Sequence, residues 1–124
     1  MRVLICGGRD FADQALFDLV MTALVAKLAT KGLRITEVIS GAAKGADTMG
    51  EVWATANSIP LRRFPADWSQ HGKAAGPIRN EQMLVEGKPN LVVAFHGGSG
   101  TRHMVHIARK AGVKVAHFTD SNAE

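Results

Sequence analysis

The 124-residue chain has a single cysteine, Cys6, so it cannot close an intramolecular disulfide and must be held by its own apolar core. That fits a reducing compartment. No apolar run approaches the ~20 residues that a membrane-spanning helix needs. The opening Met1-Arg2-Val3-Leu4-Ile5 leads directly into a strand-like segment. It lacks the long apolar stretch and small-residue cleavage site of a secretory signal. The expectation is therefore a cytoplasmic protein with no membrane partner. Repeats, low-complexity tracts and linkers are missing as well. So are two familiar phosphate fingerprints: Gly7-Gly8-Arg9-Asp10 lacks the G-x-G-x-x-G spacing, and Gly41 to Gly45 places Lys44 before its last glycine with no Gly-Lys-Ser/Thr following. The charge excess is mild, +4, which suits a nucleic acid, a small anionic ligand or simply a solvated surface.

What is present is a globular composition. Hydrophobic residues make up 46% of the chain, an ordinary share for a domain with a real core. A chain of this length buries roughly two-thirds of its unfolded surface. Five segments read as strands. Val3–Cys6 and Leu91–Phe95 are continuously apolar, which suits strands covered on both faces of a parallel sheet. Ile35–Ile39 is mixed, Leu61–Phe64 is short and charged, and Val113–Phe118 begins with alternation. Charged or alternating strands belong at sheet edges.

Helical spacing appears between the strands. Leu16, Phe17, Val20, Met21, Leu24, Val25 and Leu28 mark a first helix, with Asp13 as N-cap and Gly32 after its end. Met49, Val52, Trp53 and Ala56 mark a second. Ile78 to Val85 marks a third, stopped by Gly87 and Pro89. Thr101, Met104, Val105, Ala108 and Ala111 mark a fourth, stopped by Gly112. Trp53 and Cys6 read as core. The alternation predicts an α/β fold: one Rossmann-like three-layer domain over residues 1–120 with a polar tail over 121–124. Its five-stranded parallel sheet has the order 3-2-1-4-5. Sheet growth reverses between the first and fourth strands, and ligands bind beyond the carboxyl ends of strands at such a switch point.

The segments after the strands collect the chemistry on that rim. Gly97, Gly98, Ser99, Gly100 and Thr101 leave a buried strand and open a helix. Glycines admit an anion close to the backbone, and the helix N-terminus faces it with free N–H groups. The alternative is a tight strand-to-helix corner capped by Thr101. Gly7, Gly8, Arg9 and Asp10 face the same crevice; Arg9 either holds a phosphate or pairs with Asp10. In the second loop, Gly41, Lys44, Gly45 and Asp47 could receive an anion or a ribose, or Asp47 could serve the helix dipole.

The third connection reads as a loop of some ten residues, longer than the usual two to six, and long loops tend to hold function. Within it Trp68 could stack on a base or cover the core, and His71 could contact phosphate or move a proton. Arg79 could clamp a phosphate bidentately, and Asn80 could reach base, ribose or loop backbone. His103 and His106 lie three apart on one helix without a cluster of acidic residues or cysteine, so no zinc site is expected.

Taken together, five ordered motifs resemble a known family. They are Cys6-Gly7-Gly8-Arg9-Asp10-Phe11, Gly41-Ala42-Ala43-Lys44-Gly45-Ala46-Asp47, Ala66-Asp67-Trp68 with His71-Gly72, Ala75-Gly76-Pro77-Ile78-Arg79-Asn80 with Met83, and Gly97-Gly98-Ser99-Gly100-Thr101. The chain looks like the YspA-type branch of the SLOG superfamily from about Val3 to Phe118. The resemblance implies a Rossmann-like domain for nucleotides or nucleotide-derived ligands, related to the LOG phosphoribohydrolases and to the DNA-processing protein DprA. Relatives often form homo-oligomers. LOG enzymes use an arginine, matched in position by Arg79, and a glutamate just after a P-G-G-x-G-T loop. Here Arg102 and His103 follow Thr101, and His96 replaces the proline. An oxocarbenium-like transition state wants a nearby carboxylate, so LOG-type hydrolysis would need one from Asp10, Asp47 or Asp67.

The expected function is a binding or sensing module for a phosphorylated nucleoside. The alternatives are a nucleotide hydrolase, with Arg79, Asp10, Asp47 and His71 as catalytic candidates, and a DprA-like binder of single-stranded DNA. The partner is expected to be a nucleotide-type small molecule, with nucleic acid less favoured and homo-oligomerisation expected. No cofactor or metal site is assigned, though Mg2+ could accompany the ligand phosphates without leaving a motif.

Overall fold

The computed structural model describes residues 1–119, so the tail expected over 121–124 lies outside the described residues. In chain order the elements are β1 (Arg2–Cys6), α1 (Gln14–Thr30), β2 (Glu37–Ser40), α2 (Ala46–Ala56), β3 (Leu61–Arg63), the single-turn α3 (Trp68–His71), a 3₁₀ turn (Gly72–Ala74), α4 (Ala75–Gly87), β4 (Leu91–Phe95), α5 (Ser99–Lys110) and β5 (Lys114–Phe118). All strand pairings are parallel, and the sheet order is β3-β2-β1-β4-β5. This is the Rossmann-like order that the strand chemistry predicts. β1 and β4, which hold the continuously apolar runs Val3–Cys6 and Leu91–Phe95, lie together at the centre, with Leu4 beside both Ile39 and Val92. The polar β3 and β5 form the edges.

Strand side chains alternate between the two faces, and each face has its own core. Val3 and Ile5 of β1, Val38 of β2 and Val93 and Phe95 of β4 pack under α1 and α2, against Phe17, Val20, Met21, Leu28 and Ala54. Leu4, Cys6, Ile39, Val92 and Ala94 point the other way, toward Met83 of α4 and Met104, Val105 and Ala108 of α5. Fully burying one such large side chain stabilises by roughly 1.5–3 kcal/mol. The double-faced central strands therefore fix the sheet order more strongly than the polar edges can. Asp13 caps α1 through its Oδ1, which accepts from Leu16 N–H at 3.0 Å. Gly32 follows that helix with φ +69°, a value that favours glycine.

The connection after β3 differs from its expected form. It is not a ten-residue loop. Asp67 caps a helical turn, its Oδ1 accepting from Gln70 N–H at 3.1 Å and from the Ser69 hydroxyl at 2.8 Å. The 3₁₀ turn then leads directly into α4, which begins at Ala75 rather than at Ile78. Pro77 stands in the first turn of α4, where a missing N–H costs nothing. This places Trp68, Lys73 and Arg79 on ordered backbone above the sheet rim. Among the described residues, no helix is long and apolar enough to cross a membrane.

Candidate functional site

β1 and β4 are parallel neighbours, so their following loops meet on one rim. The loops are joined directly: Gly8 N–H donates to the His96 carbonyl at 2.9 Å. A Cβ added to Gly8 would sit 2.9 Å from Gly97 Cα, and one on Gly97 would sit 2.6 Å from Gly8 N and collide with Thr101 Oγ1. Both glycines are needed because two backbones approach each other here. Gly45 closes a third side with φ +79°, packed against Gly8 O, which accepts from Phe11 N–H at 3.2 Å and Ala46 N–H at 3.4 Å.

An open cleft of about 810 Å³ lies above this junction, within the roughly 300–1,000 Å³ of small-molecule sites. The β1 loop contributes Cys6 to Phe11. The β2 rim contributes Ala43 and Asp47. The segment from α3 to α4 contributes Trp68, Lys73, Gly76, Pro77, Arg79, Asn80 and Met83. The β4 loop and α5 contribute His96 to Thr101, His103 and Met104.

Most of the residues singled out from the sequence are therefore brought together. Gly7, Gly8, Arg9, Asp10, Asp47, Trp68, Arg79, Asn80, Gly97, Gly98, Ser99, Gly100 and Thr101 all line the cleft. Gly41, Lys44, Gly45 and His71 do not. Gly41 and Gly45 have packing roles instead: the Gly41 carbonyl accepts from Arg79, and Gly45 braces the β1 loop. Lys44 and His71 are exposed outside the lining. Asp67, whose Oδ1 caps α3, is also outside it. Lys73 and His103 also line the cleft, although the sequence motifs assign them no ligand role. The His103–His106 pair lacks the accompanying cysteine or acidic cluster of a zinc site, whereas the position of His103 beside the inward stripe Thr101, Met104, Val105, Ala108 is the signal in the sequence that it faces the rim. Among the described residues there is no cluster of three potential metal-ligating side chains.

The floor of the cleft is a connected polar network. Arg79 Nη1 donates to the Gly41 carbonyl, and its Nε donates to Asn80 Oδ1 at 3.0 Å. Asn80, buried, donates from Nδ2 to the Gly100 carbonyl at 3.1 Å and contacts His103 Nδ1 at 3.1 Å. The network thus ties β2, α4 and α5 together beneath the rim. Burial pulls the Arg79 guanidinium below its ordinary value, with Asp47 opposing and Arg9 adding to the fall. Burial pushes Asp47 up to about 6, against the opposing influence of the Ala43 N–H and Arg79. Its Oδ2 accepts from Ala43 N–H at 3.2 Å. Burial also raises the Cys6 thiol, which stays protonated and unreactive although it reaches the cleft.

The mouth is more open. The Arg9 guanidinium lies over the Trp68 ring at 5.6 Å, a cation–π contact between two exposed side chains. Ala42, on the β2 rim, has φ +60°, which costs roughly 1–2 kcal/mol for a residue with a Cβ. The Ser40 hydroxyl holds that bend: it accepts from Ala42 N–H at 3.0 Å and donates to Glu51 Oε2 at 2.7 Å. Glycine backbone, the α5 N-terminus and the side chains of Arg9, Lys73 and Arg79 give this cleft the means to hold an anion. Trp68 and Met83 add apolar surface.

A family model, YAcAr, described as the YspA, cpYpsA-related SLOG family, matches residues 1–71. The chain is also 38% identical over 126 residues to Gene 61 protein of Mycobacterium phage D29, an alignment covering 96% of this chain and 97% of that protein. No solved structure matches it significantly.

Proposed function

The chain belongs to the YspA, cpYpsA-related SLOG family, and from that premise we propose that it binds a phosphorylated nucleoside, or a ligand derived from one, as a binding or sensing module. Membership in the family suggests a nucleotide-related role. The observation that supports the finer reading is the position of the cleft: it opens at the β1–β4 switch point, where Gly8, Gly97 and the N-terminus of α5 converge. In this reading Gly97 to Thr101 receive phosphate, Arg9 and Arg79 balance its charge, Asp47 accepts from ribose hydroxyls, and Trp68 meets the base.

A second reading, cleavage of an N-glycosidic bond, is favoured by one observation. Asp47 lines the cleft with its carboxyl pushed up to about 6, a value suited to proton transfer near neutral pH. One experiment separates the two. The protein is screened by thermal shift against nucleoside mono-, di- and triphosphates, and each mixture is then analysed by mass spectrometry. A ligand present at one hundred times its Kd stabilises by about 2.7 kcal/mol. A shift with the ligand intact supports binding or sensing. A shift with free base among the products supports hydrolysis, and Asp47→Asn should then abolish the product. No shift with any nucleotide contradicts both.

A further inference from the structure

The polar network fixes more than the position of its side chains. Asn80 is 4% exposed, and both ends of its amide have partners that leave no choice of orientation. The Gly100 carbonyl can only accept, so the group facing it is Nδ2; Arg79 Nε can only donate, so the group facing it is Oδ1. The second proton of Nδ2 then points to the remaining neighbour, His103 Nδ1, at 3.1 Å. That ring nitrogen must offer a lone pair. The neutral imidazole consequently has its hydrogen on Nε2. His103 lines the cleft from α5, next to the turn that presents the Gly97–Gly100 backbone.

We propose that Asn80 holds His103 as its Nε2–H tautomer, and that His103 uses this hydrogen to bind an anionic phosphate oxygen of the ligand at the α5 N-terminus. His103 is then a specificity determinant for phosphorylated over unphosphorylated nucleosides, and Asn80 its positioning residue. The inference rests on the nucleotide-binding reading above and adds a contact that the sequence motifs did not include. A side chain that could equally accept or donate becomes a dedicated donor because its other nitrogen is occupied. A fully ionised phosphate monoester presents acceptors only, so a fixed donor suits it, whereas a bare Nε2 would repel it.

The test has a part that needs no ligand and a part that does. Long-range ¹H–¹⁵N NMR of the full chain identifies which nitrogen of His103 bears hydrogen. The Nε2–H form is expected in the native protein, and the Nδ1–H form in Asn80→Asp, where a carboxylate oxygen replaces the amide donor. Observation of Nδ1–H in the native protein overturns the proposal whatever the ligand is. Affinities for adenosine 5′-monophosphate and for adenosine are then compared. His103→Ala should weaken the monophosphate by about 10- to 100-fold, the effect of one charge-assisted hydrogen bond, and leave adenosine unchanged. His103→Gln, whose amide N–H reaches a similar distance from the backbone, should stay within about threefold of the native protein. Native binding of the monophosphate that is indifferent to His103→Ala overturns the role of His103 while leaving the nucleotide pocket intact. If the native protein shows Nε2–H but binds neither the monophosphate, inorganic phosphate nor adenosine, the pocket reading fails and the role of His103 falls with it.

Discussion

Replacing Asp47 by asparagine should flatten the pH dependence of folding stability between about pH 4 and pH 6, the interval that its own titration spans. Asp47 is 5% exposed, and burial pushes its carboxyl from 3.8 up to about 6, with Glu51 adding to the rise. A carboxyl whose folded pKa lies above its unfolded one holds its proton more tightly in the folded state. Its contribution is therefore present in full below the unfolded value and is lost as pH rises through the folded one. At 1.36 kcal/mol per pH unit, the interval from 3.8 to about 6 corresponds to a loss of about 3 kcal/mol. Set against a typical total of 5–15 kcal/mol, that is easily measured. Asparagine retains an oxygen to accept from Ala43 N–H and cannot ionise. Urea unfolding of both proteins at several pH values between 4 and 7.5 provides the assay, because the other titrating groups cancel in the difference. The native protein should lose about 2–3 kcal/mol relative to Asp47→Asn across the range, because a small part of the full loss has already occurred at pH 4, just above the unfolded value of 3.8. Parallel stability curves would refute the assignment of a buried, proton-retaining carboxyl at this position.

Other substitutions separate folding from the cleft. Leu4→Ala removes a fully buried side chain that meets Ile39 and Val92 at the sheet centre, and urea unfolding should show a loss of about 2–5 kcal/mol. Gly97→Ala drives a Cβ against Gly8 N and Thr101 Oγ1; it should cost about 1–3 kcal/mol of stability and weaken nucleotide binding together with it in the thermal-shift screen. Trp68→Ala should leave the unfolding midpoint nearly unchanged, since the ring is 49% exposed, while calorimetric titration shows a loss of about 1–3 kcal/mol of nucleotide affinity if the ring stacks on the base.

The sheet was legible in the sequence because burial on both faces leaves a strong signature. Val3–Cys6 and Leu91–Phe95 are apolar without interruption, and the structure places both at the centre. The polar β3 and β5 take the edges for the complementary reason. The segment after β3 was harder to read. Its apolar residues are too few for periodicity, and the helical turn depends on local bonds to Asp67 rather than on a buried stripe. The Asp67-Ser69-Gln70 pattern was the usable cue, an aspartate ahead of its own N–H partners.

The roles of the glycines could not be separated from the sequence either. Gly8 and Gly97 meet each other at the rim, whereas Gly41 and Gly45 serve Arg79 and the β1 loop. These are contacts between residues far apart in the chain, which no local motif encodes. The role of His103 is invisible to local motifs for a similar reason. Its significance comes from Asn80, which approaches from a different helix.

Mapping a nucleotide onto the chain probes the proposed pocket directly. In a ¹H–¹⁵N titration with adenosine 5′-monophosphate, the amides of Gly97 to Thr101, together with Gly8 and Arg9, should shift first and saturate as one site. A nucleotide pocket at this rim is contradicted if those amides stay still while other residues move, such as those of the groove formed by Val25, Leu33 and Trp53 between α1 and α2, or if no amide responds to any nucleoside phosphate.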